Sequence, residues 1–370
     1  MTEASPHAKN VALIGTSWWA DAMYLPALAN HPDGRITLIC GRNAEQTRAR
    51  ADMWNIPKWS TDWRSAIADE SIDAVIVASA NDSHYEITAA AIERGLHVLC
   101  EKPLTRTAVE AVELADRAEA AGLTTMTPFT YRWMPTNQWI KRLIDHGYVG
   151  TPRHLDMRYY TGYARGTEYA WRFDRELAGA GVVGDIGSHW LHLGRWFMGE
   201  ITAIGCVTST FAPRDPRPDG TPYEQAEDTG LLTVRFASGA YGSLHVSAVC
   251  WEGTPFGQTH HVEVHGTEGT LYGCIDWDTV QEVRGVRAGE PGPAAPLPIP
   301  DDIWSGARRD SVGDTYRDVF RTTNSMSRQW LAAIAAGERC EPSLRDGARI
   351  QELVAAAMQS AASDGRMIAV

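Results

Sequence analysis

The sequence predicts an α/β domain built on a doubly wound parallel sheet, followed by an α+β domain with a large, mostly antiparallel open sheet. In the first third of the chain, short apolar strands alternate with helical segments, which is typical of parallel strands joined by right-handed crossovers. From residue 153 onward, apolar residues recur at period two with no helix between most strands. Because 370 residues exceed one ordinary core, we assign residues 1–128 and 129–370 to two domains.

The predicted strands of the first domain are short apolar runs, each followed by a turn. They cover residues 11–14, 35–40, 73–78, 97–100 and 123–127. The helices expected between them include one from Trp18 to Asn30 and another that runs to Arg94. For the second of these helices, Ser83 is the expected N-cap, and Glu86 three residues later would complete a capping box.

The second domain begins with an irregular aromatic stretch and one helix, and is then predicted to be rich in strands. The expected strands cover residues 154–161, 201–211, 231–236, 241–249, 261–265 and 270–273. Ser238–Gly239 and Thr267–Gly269 have the composition of hairpin turns. The proline- and glycine-rich segment Gly285–Pro300 is expected to be a loop, and helices over 325–336 and 344–363 close the chain.

Charge and composition argue against several classes of function. A net charge of -12 leaves no basic excess to bind nucleic acid, and no apolar run is long enough to span a membrane. Met1–Asn10 lacks the apolar core of a secretory signal. The six cysteines are scattered without a C-x-x-C pair, which favours reduced thiols in the cytoplasm over a disulfide framework or a zinc site.

The first strand-to-helix turn is the first candidate binding element. Residues 15–20 (Gly-Thr-Ser-Trp-Trp-Ala) align with the dinucleotide fingerprint G-x-G-x-x-G/A of Rossmann domains, with Ser17 in place of the second glycine. Since the turn follows a strand and opens a helix, we expect Gly15, Ser17, Trp18 and Trp19 to bind the cofactor. The Ser17 hydroxyl could itself contact a phosphate. The alternative is an ordinary strand-to-helix turn.

The next two strand ends supply further candidates for cofactor binding. No carboxylate follows the second strand, where one would hold the ribose of NAD. Arg42 could instead pair with the 2′-phosphate of NADP or stack on adenine, and Asn43 could bond the ribose, so NAD is favoured without excluding NADP. After the third strand, Ser79, Asn81 and His84 would lie near the nicotinamide, or would simply cap a helix.

Lys102 lies at the end of the fourth strand, which a proline stops. Ligands of open parallel sheets bind outside the carboxyl ends of the strands, so Lys102 would be a cation at the reaction site. We expect Lys102 and the adjacent Glu101 to bind the cofactor as well. The alternative is a surface charge pair that ends a strand.

A glycine-rich segment in the second domain leads into the pair Asp185 and His189. At spacing i and i+4, the two side chains share one face of a helix, where the carboxylate can orient the imidazole as a base. One alternative is a buried polar pair that ties the helix to its neighbours. A metal site that adds His192 is a less favoured alternative, because no fourth ligand is evident.

A basic and aromatic stretch precedes this pair in an otherwise acidic chain. Its arginines are Arg153, Arg158, Arg165, Arg172 and Arg175. Guanidinium groups suit carboxylate, phosphate or sulfonate groups, and aromatic rings suit a sugar face. The candidate substrate residues are Arg132, Tyr163, Arg165, Trp171, Arg172 and His189. The alternative is a solvated face of ion pairs with Asp156, Glu168 and Asp174.

Taken together, these motifs resemble the Gfo/Idh/MocA oxidoreductases, named for glucose-fructose oxidoreductase, inositol dehydrogenase and a rhizopine-catabolism protein. The resemblance covers nearly the whole chain, and Glu101-Lys102-Pro103 is its most specific motif. Its other carriers are the Gly15 turn, Asn81-x-x-His84, Asp185-x-x-x-His189 and the hairpin His265–Gly269. Ser17 departs from the family's usual glycine.

The resemblance implies hydride transfer between nicotinamide C4 and a secondary alcohol carbon of a sugar or cyclitol, with Lys102, Asp185 and His189 as the catalytic set. Chemistry suggests that His189 removes the hydroxyl proton, that Asp185 orients His189, and that Lys102 stabilises the developing alkoxide and relays the proton. The resemblance also implies a Lys102–Pro103 bond that is often cis, and a homodimer or homotetramer formed through the second-domain sheet.

Three functions remain open on sequence alone. The first is a simple sugar dehydrogenase. The second is a redox-neutral glycosidase that oxidises transiently, eliminates the aglycone, adds water and returns the hydride, acting on an anionic sugar such as a sulfonated hexose. The third is a non-catalytic regulator that senses the cofactor, against which the joint presence of Lys102, Asp185 and His189 argues.

Overall fold

The computed structural model describes residues 8–253, 257–278 and 280–370; Met1–His7 of the predicted first domain lie outside the described residues. The chain forms two compact units. The first consists of Met1–Phe129 and Arg317–Gln351, and the second of Thr130–Tyr316 and Glu352–Val370. The first unit therefore includes a C-terminal segment that the sequence-based division at residue 128 places in the second domain.

Strands and helices alternate in the first unit, whereas strands dominate the second. The strands are β1 (Lys9–Ile14), β2 (Gly34–Cys40), β3 (Lys58–Ser60), β4 (Ala74–Val77), β5 (His97–Cys100), β6 (Thr125–Met126), β7 (Pro152–Thr161), β8 (Ile201–Ser209), β9 (Thr229–Phe236), β10 (Tyr241–Ser247), β11 (Gln258–Gly266), β12 (Gly269–Asp276), β13 (Val280–Arg287), β14 (Ala295–Pro296) and β15 (Ile368–Ala369). The helices are α1 (Leu25–Leu28), α2 (Ala44–Trp54), α3 (Trp63–Ala68), α4 (Asn81–Glu93), α5 (Ala108–Ala120), α6 (Pro135–Asp145), α7 (Arg175–Ala178), α8 (Ser188–Met198), α9 (Asp301–Trp304), α10 (Val312–Arg321), α11 (Met326–Ala336) and α12 (Leu344–Ala361).

The sheet of the first unit is parallel throughout, with strand order β3-β2-β1-β4-β5-β6. Its central strands are buried on both faces, and no side chain of Val11 to Ile14 is more than 4% exposed. Such strands appear in sequence as continuous apolar runs, which is why they were recognisable. The predicted doubly wound parallel sheet is confirmed.

One helix start in this unit differs from the prediction, and one helix contains an irregular turn. The helical segment predicted from Trp18 to Asn30 begins at Trp18 as expected and contains a π-helical turn over Ala20–Tyr24 before the short α1. Helix α4 begins at Asn81 with the extended residue Ala80 as N-cap, so the predicted cap at Ser83 is wrong. The Ser83 hydroxyl instead donates to the Ala80 carbonyl and to Ser79 Oγ, each at 2.8 Å.

The C-terminal segment of the first unit is held by side chains that reach backbone carbonyls. Arg321 Nε donates to the Ala22 carbonyl and Arg328 Nη1 to the Ala27 carbonyl, both at 2.7 Å. Trp330 Nε1 donates to Thr124 at the amino end of β6, at 3.2 Å. These bonds join residues about 200 to 300 positions apart in the chain, so local patterns carry no sign of them.

The sheet of the second unit has the order β14-β13-β12-β11-β7-β10-β9-β8-β15. Its pairs are antiparallel except β7 with β10, which confirms the predicted mostly antiparallel sheet. The predicted loop Gly285–Pro300 is wrong in part, because it includes the end of β13 and all of β14. This strand position requires glycine, because a Cβ on Gly285 would lie 2.6 Å from both the Tyr148 hydroxyl oxygen and Leu297 Cδ1.

Two general properties follow from the described residues. None of their helices combines the length and the apolar composition needed to cross a membrane. All six cysteines are free thiols, four of them buried.

Candidate active site

The predicted cofactor residues of the first unit all follow the carboxyl ends of four adjacent strands. The turn at Gly15 follows β1, Arg42 and Asn43 follow β2, Ser79 to His84 follow β4, and Glu101 and Lys102 follow β5. Because parallel strands end at the same edge of a sheet, these residues are gathered at one edge.

Gly15 is the one fingerprint glycine present, and its geometry requires it. Its φ is +129°, and a Cβ there would lie 2.2 Å from the carbonyl oxygen of Ala78, at the end of β4. The residues that follow are open: Ser17 is exposed and Trp18 is 67% exposed. The side chain of Ser17, which replaces the second glycine, is therefore not packed inside the turn.

Glu101 is buried and holds the segment that follows the turn. Its Oε1 accepts hydrogen bonds from Trp19 Nε1 and from the Tyr24 hydroxyl, both at 2.5 Å. Its Oε2 accepts from the backbone N–H of Lys102 at 3.1 Å. Burial raises the pKa of Glu101, while the bonds from Tyr24 and Trp19 and the charge of Lys102 lower it. Glu101 therefore positions Trp19 and Tyr24 rather than presenting a free carboxylate.

His84 joins the ends of β4 and β5. Its Nδ1 lies 3.0 Å from the Pro103 carbonyl oxygen, and its Nε2 lies 3.2 Å from that of Ser79. Burial lowers its pKa, and the two carbonyls oppose that effect. The Lys102–Pro103 bond is cis, as the family resemblance implied. His84 thus holds the turn that carries Lys102, with both ring nitrogens facing backbone oxygens.

The remaining candidates at this edge are partly used by the fold. Asn43 is the N-cap of α2, where its side chain accepts from the Gln46 N–H at 2.9 Å. Arg42 is exposed, and Asn81 is half-buried at the first turn of α4. No carboxylate lies directly after β2, where Gly41, Arg42 and Asn43 follow the strand.

This edge fits a dinucleotide. The first-turn N–H groups of a helix have no intrahelical acceptors and suit a pyrophosphate. Here the turn after β1 opens a helix, its glycine permits the close approach to β4, and the side chains of Ser17 and Trp18 are exposed.

In the second unit, Asp185 and His189 lie on one continuous helical segment. Asp185 is the third residue of a π-helical turn over Val183–Gly187, and His189 is the second residue of α8. π-helical turns within helices are rare and are frequent at functional sites. The glycines that weaken an α-helix here, Gly184 and Gly187, belong to this turn.

The carboxylate of Asp185 is held by two of the predicted substrate residues. The Tyr163 hydroxyl donates to Asp185 Oδ2 at 2.9 Å, and Arg172 Nε lies 3.9 Å from the same oxygen. Tyr163 is half-exposed and Arg172 is exposed, so this cluster opens to solvent. Trp171 lies under the guanidinium of Arg172, with the Arg172 Cζ 4.6 Å from the ring centroid.

The imidazole of His189 packs against a buried aromatic cluster that no sequence motif indicates. His189 is 4% exposed, and its ring centroid lies 4.8 Å from that of Tyr131 in an edge-on arrangement. The Tyr131 and Tyr159 hydroxyls lie 2.9 Å apart. His260 packs on both tyrosines, and burial lowers its pKa to about 3, which keeps it neutral. The cluster fixes the plane of the His189 ring.

The other predicted substrate residues are not all gathered at Asp185. The guanidinium of Arg165 lies over Trp251, 3.7 Å from the ring centroid, and Trp251 is 84% exposed. Arg132 lies over Trp196, seven residues beyond His189 on α8, which is about 10 Å along the helix axis.

The arginines of the basic stretch are largely engaged within the unit. Arg158 Nη2 lies 2.9 Å from His261 Nε2, Arg165 Nε donates to the Gly162 carbonyl at 3.0 Å, Arg172 faces Asp185, and Arg175 Nε lies 2.7 Å from Glu224 Oε1. Their charges are therefore used in the fold, which weakens the expectation that this stretch binds an anionic substrate.

His192, the third member of the metal alternative, is buried at 3% exposure. Burial lowers its pKa, and Arg132 and Arg195 lower it further. Within residues 8–253, 257–278 and 280–370, no group of three histidine, cysteine or acidic side chains is arranged to hold a metal ion.

Two family models match the chain. One, described as an oxidoreductase family with an NAD-binding Rossmann fold, matches residues 9–129. The other, the GFO/IDH/MocA C-terminal domain, matches residues 137–272.

Individual relatives agree with these matches. A levoglucosan dehydrogenase of Pseudarthrobacter phenanthrenivorans is 29% identical, over 88% of this chain and 87% of its own length. A 1,5-anhydro-D-fructose reductase of Ensifer adhaerens is 33% identical over 70% of this chain and 74% of its own. A levoglucosan dehydrogenase solved with NADH and levoglucosan is similar in structure, with a TM-score of 0.83, 26% identity and coverage of 98% and 99% of the two chains.

The contacts of Glu101 predict how two substitutions will differ. Glu101→Ala removes the acceptor that Trp19 Nε1 and the buried Tyr24 hydroxyl share, at about 1–3 kcal/mol for each bond lost, and we expect NAD⁺ to bind at least about tenfold more weakly with a lower melting temperature. Glu101→Gln retains Oε1 for both donors and should bind within about threefold of the wild type. Calorimetric titration measures both, and wild-type affinity in Glu101→Ala would contradict the role given to Glu101.

Proposed function

We infer that this chain, which belongs to the Gfo/Idh/MocA family of NAD-binding oxidoreductases, transfers hydride between a secondary hydroxyl of an uncharged sugar or sugar derivative and NAD. Its relatives are sugar dehydrogenases and oxidoreductases, and solved neighbours hold NADH. The observation that carries the proposal is the exposed cluster of Asp185, Tyr163 and Arg172 on the same helical segment as His189.

The proposed catalytic set is Lys102, Asp185 and His189. When bound, the nicotinamide supplies the hydride acceptor. His189 Nε2 is proposed to take the proton of the substrate hydroxyl, and the ammonium of Lys102 to stabilise the alkoxide that develops on that oxygen. The negative charge of Asp185 is proposed to stabilise the imidazolium that forms when His189 has taken the proton. Tyr163 and Arg172 hold the Asp185 carboxylate in place.

We propose an uncharged substrate because the nearby guanidinium groups already have partners within the unit. An anionic sugar would need a guanidinium that is free to form two parallel bonds. The nearest one, Arg172, faces Asp185, and Arg165 is bonded to a backbone carbonyl. The exposed ring of Tyr163, the partly exposed ring of Trp171 and the carboxylate of Asp185 suit the faces and hydroxyls of a neutral ring instead. Levoglucosan, which a relative oxidises by its name, is a sugar of this kind.

We also propose that the chain forms a homodimer or homotetramer through the second-unit sheet and works in the cytoplasm, where its free cysteines would stay reduced. Val207 pairs directly with Leu231, and Tyr241 pairs with Arg235, which lies four residues beyond Leu231 on β9. The side chains of Val207, Leu231 and Tyr241 therefore share one face of that sheet, where they are 53%, 40% and 58% exposed. Light scattering should give a mass of two or four chains, and Leu231→Glu should lower it. A monomeric wild type would contradict the assembly.

Lys102→Met removes the proposed cation and keeps the length of the side chain. We expect kcat to fall by about 10²–10⁴-fold, because a proton-transfer and alkoxide-stabilising group is lost, while NAD⁺ affinity changes little. The matched control is Lys9→Met, at the opposite, amino end of β1. Steady-state kinetics and NAD⁺ titration provide the test, and unchanged turnover in Lys102→Met would refute the assignment.

The yield of NADH tests the proposed reaction itself. With levoglucosan and other neutral sugars as substrates, a dehydrogenase forms one NADH for each sugar oxidised, which absorbance at 340 nm measures. Free sugar released from a glycoside without net NADH would favour the redox-neutral hydrolase. Cofactor binding without turnover across neutral and anionic sugars would favour the regulator.

A further inference from the structure

Glu227 is a buried carboxylate that lies two residues before β9 and outside every motif considered so far. It is 2% exposed. Its Oε1 accepts from the backbone N–H of Gly181 at 2.8 Å and from that of Val183 at 3.2 Å. The backbone carbonyl of Glu227 accepts from the N–H of the residue between them, Val182, at 2.9 Å. Three consecutive backbone N–H groups thus donate hydrogen bonds to Glu227.

These three N–H groups lie at the start of the helical segment that carries the proposed base. The π-helical turn begins at Val183, Asp185 is two residues later, and His189 follows in α8. The approach is close, because a Cβ on Gly181 would lie 2.0 Å from the Glu227 carbonyl oxygen. The first N–H groups of a helix have no partner within the helix, so Glu227 supplies the acceptors that fix where this helix begins.

The second carboxylate oxygen links Glu227 to the stretch that supplies Arg172. Glu227 Oε2 lies 3.5 Å from Arg175 Nη2, and Arg175 opens α7, three residues after Arg172. Arg172 in turn faces Asp185 at 3.9 Å. The substrate stretch and the helix of Asp185 are therefore connected twice, once through Asp185 and once through Glu227.

Among the described residues, one carboxylate oxygen of Glu227 is hydrogen-bonded to the backbone, and the other has no hydrogen bond but faces the Arg175 guanidinium. Burial raises its pKa, while the charge of Arg175 and the backbone donors lower it. Burying a carboxyl group is unfavourable unless its oxygens are bonded, and here one oxygen has two backbone donors and the other faces a guanidinium.

We propose that Glu227 is a positioning residue for hydride transfer: through the N–H groups of Gly181 and Val183, it sets the start of the helix so that Asp185 and His189 meet the substrate hydroxyl. The proposal rests on the proposed function. If so, the length of the Glu227 side chain and its acceptor oxygen matter more than its negative charge. A displacement of about 1 Å at a reacting group can lower a rate about a hundredfold.

Two conservative substitutions separate reach from charge. Glu227→Gln keeps the length and the Oε1 acceptor and removes the charge. Glu227→Asp keeps the charge and withdraws the carboxylate by about 1.5 Å, one carbon–carbon bond. We expect Glu227→Gln to keep kcat within about fivefold and Glu227→Asp to lose about 10- to 100-fold in kcat, with the KM for NAD⁺ unchanged in both. Glu176→Gln, an exposed carboxylate on the neighbouring α7, is the control.

The deuterium isotope effect on kcat distinguishes misplaced catalytic groups from a smaller fraction of folded enzyme. With a sugar deuterated at the oxidised carbon, the effect on kcat should rise in Glu227→Asp, because hydride transfer becomes more rate-limiting, and the pH profile of kcat should shift. Partial unfolding would lower kcat and leave both unchanged, which would overturn the proposal. Equal losses in the two variants, or a larger loss in Glu227→Gln, would overturn it as well.

Amide hydrogen exchange tests the same inference without turnover. Exchange over residues 181–189 should be about tenfold faster in Glu227→Asp than in Glu227→Gln, and unchanged protection would overturn the proposal. If the wild type reduced no NAD⁺ with any sugar, the proposed function would fail, and the exchange result would still decide whether Glu227 holds this turn.

Discussion

In each unit, a buried carboxylate accepts hydrogen bonds from residues at an irregular helical turn, and the arrangement of the candidate site depends on these bonds. In the first unit, Glu101 holds Trp19 and Tyr24 at the two ends of the π-helical turn that follows the cofactor turn. In the second, Glu227 holds the backbone at the start of the π-helical turn that contains Asp185. A π-helical turn is rare and occurs mostly as a single turn within an α-helix. Glu101 bonds two side chains of the first turn, and Glu227 bonds the backbone at the start of the second.

The charges of the basic stretch illustrate a second constraint. An arginine beside a site suggests anion binding when it is viewed in sequence, yet a guanidinium has five donors and a fold uses them readily. Arg172 and Arg175 face carboxylates, and Arg165 bonds a carbonyl. The stretch then offers a ligand aromatic surface and the oxygens of Asp185, which supports the proposal of a neutral sugar substrate.

The sequence was sufficient for the fold class and for the location of the strand-end motifs, because parallel buried strands and period-two strands have distinct local patterns. It correctly marked Gly15, where the backbone conformation admits only glycine, and the Lys102–Pro103 turn. It could not reveal that Glu101 and His84 are occupied within the fold, nor that Glu227 reaches a turn 46 residues away. Such partners depend on tertiary packing, and a single acidic residue before a strand has no distinguishing local pattern.

We propose that Lys102 and His189 act on the same substrate hydroxyl. A crystal structure with NAD⁺ and levoglucosan bound tests it most directly. We expect one sugar hydroxyl within about 2.6–3.2 Å of both Lys102 Nζ and His189 Nε2, with the carbon that bears it facing nicotinamide C4. A sugar bound with that hydroxyl near neither side chain, or bound by Arg165 and Arg172 away from the nicotinamide, would contradict the account.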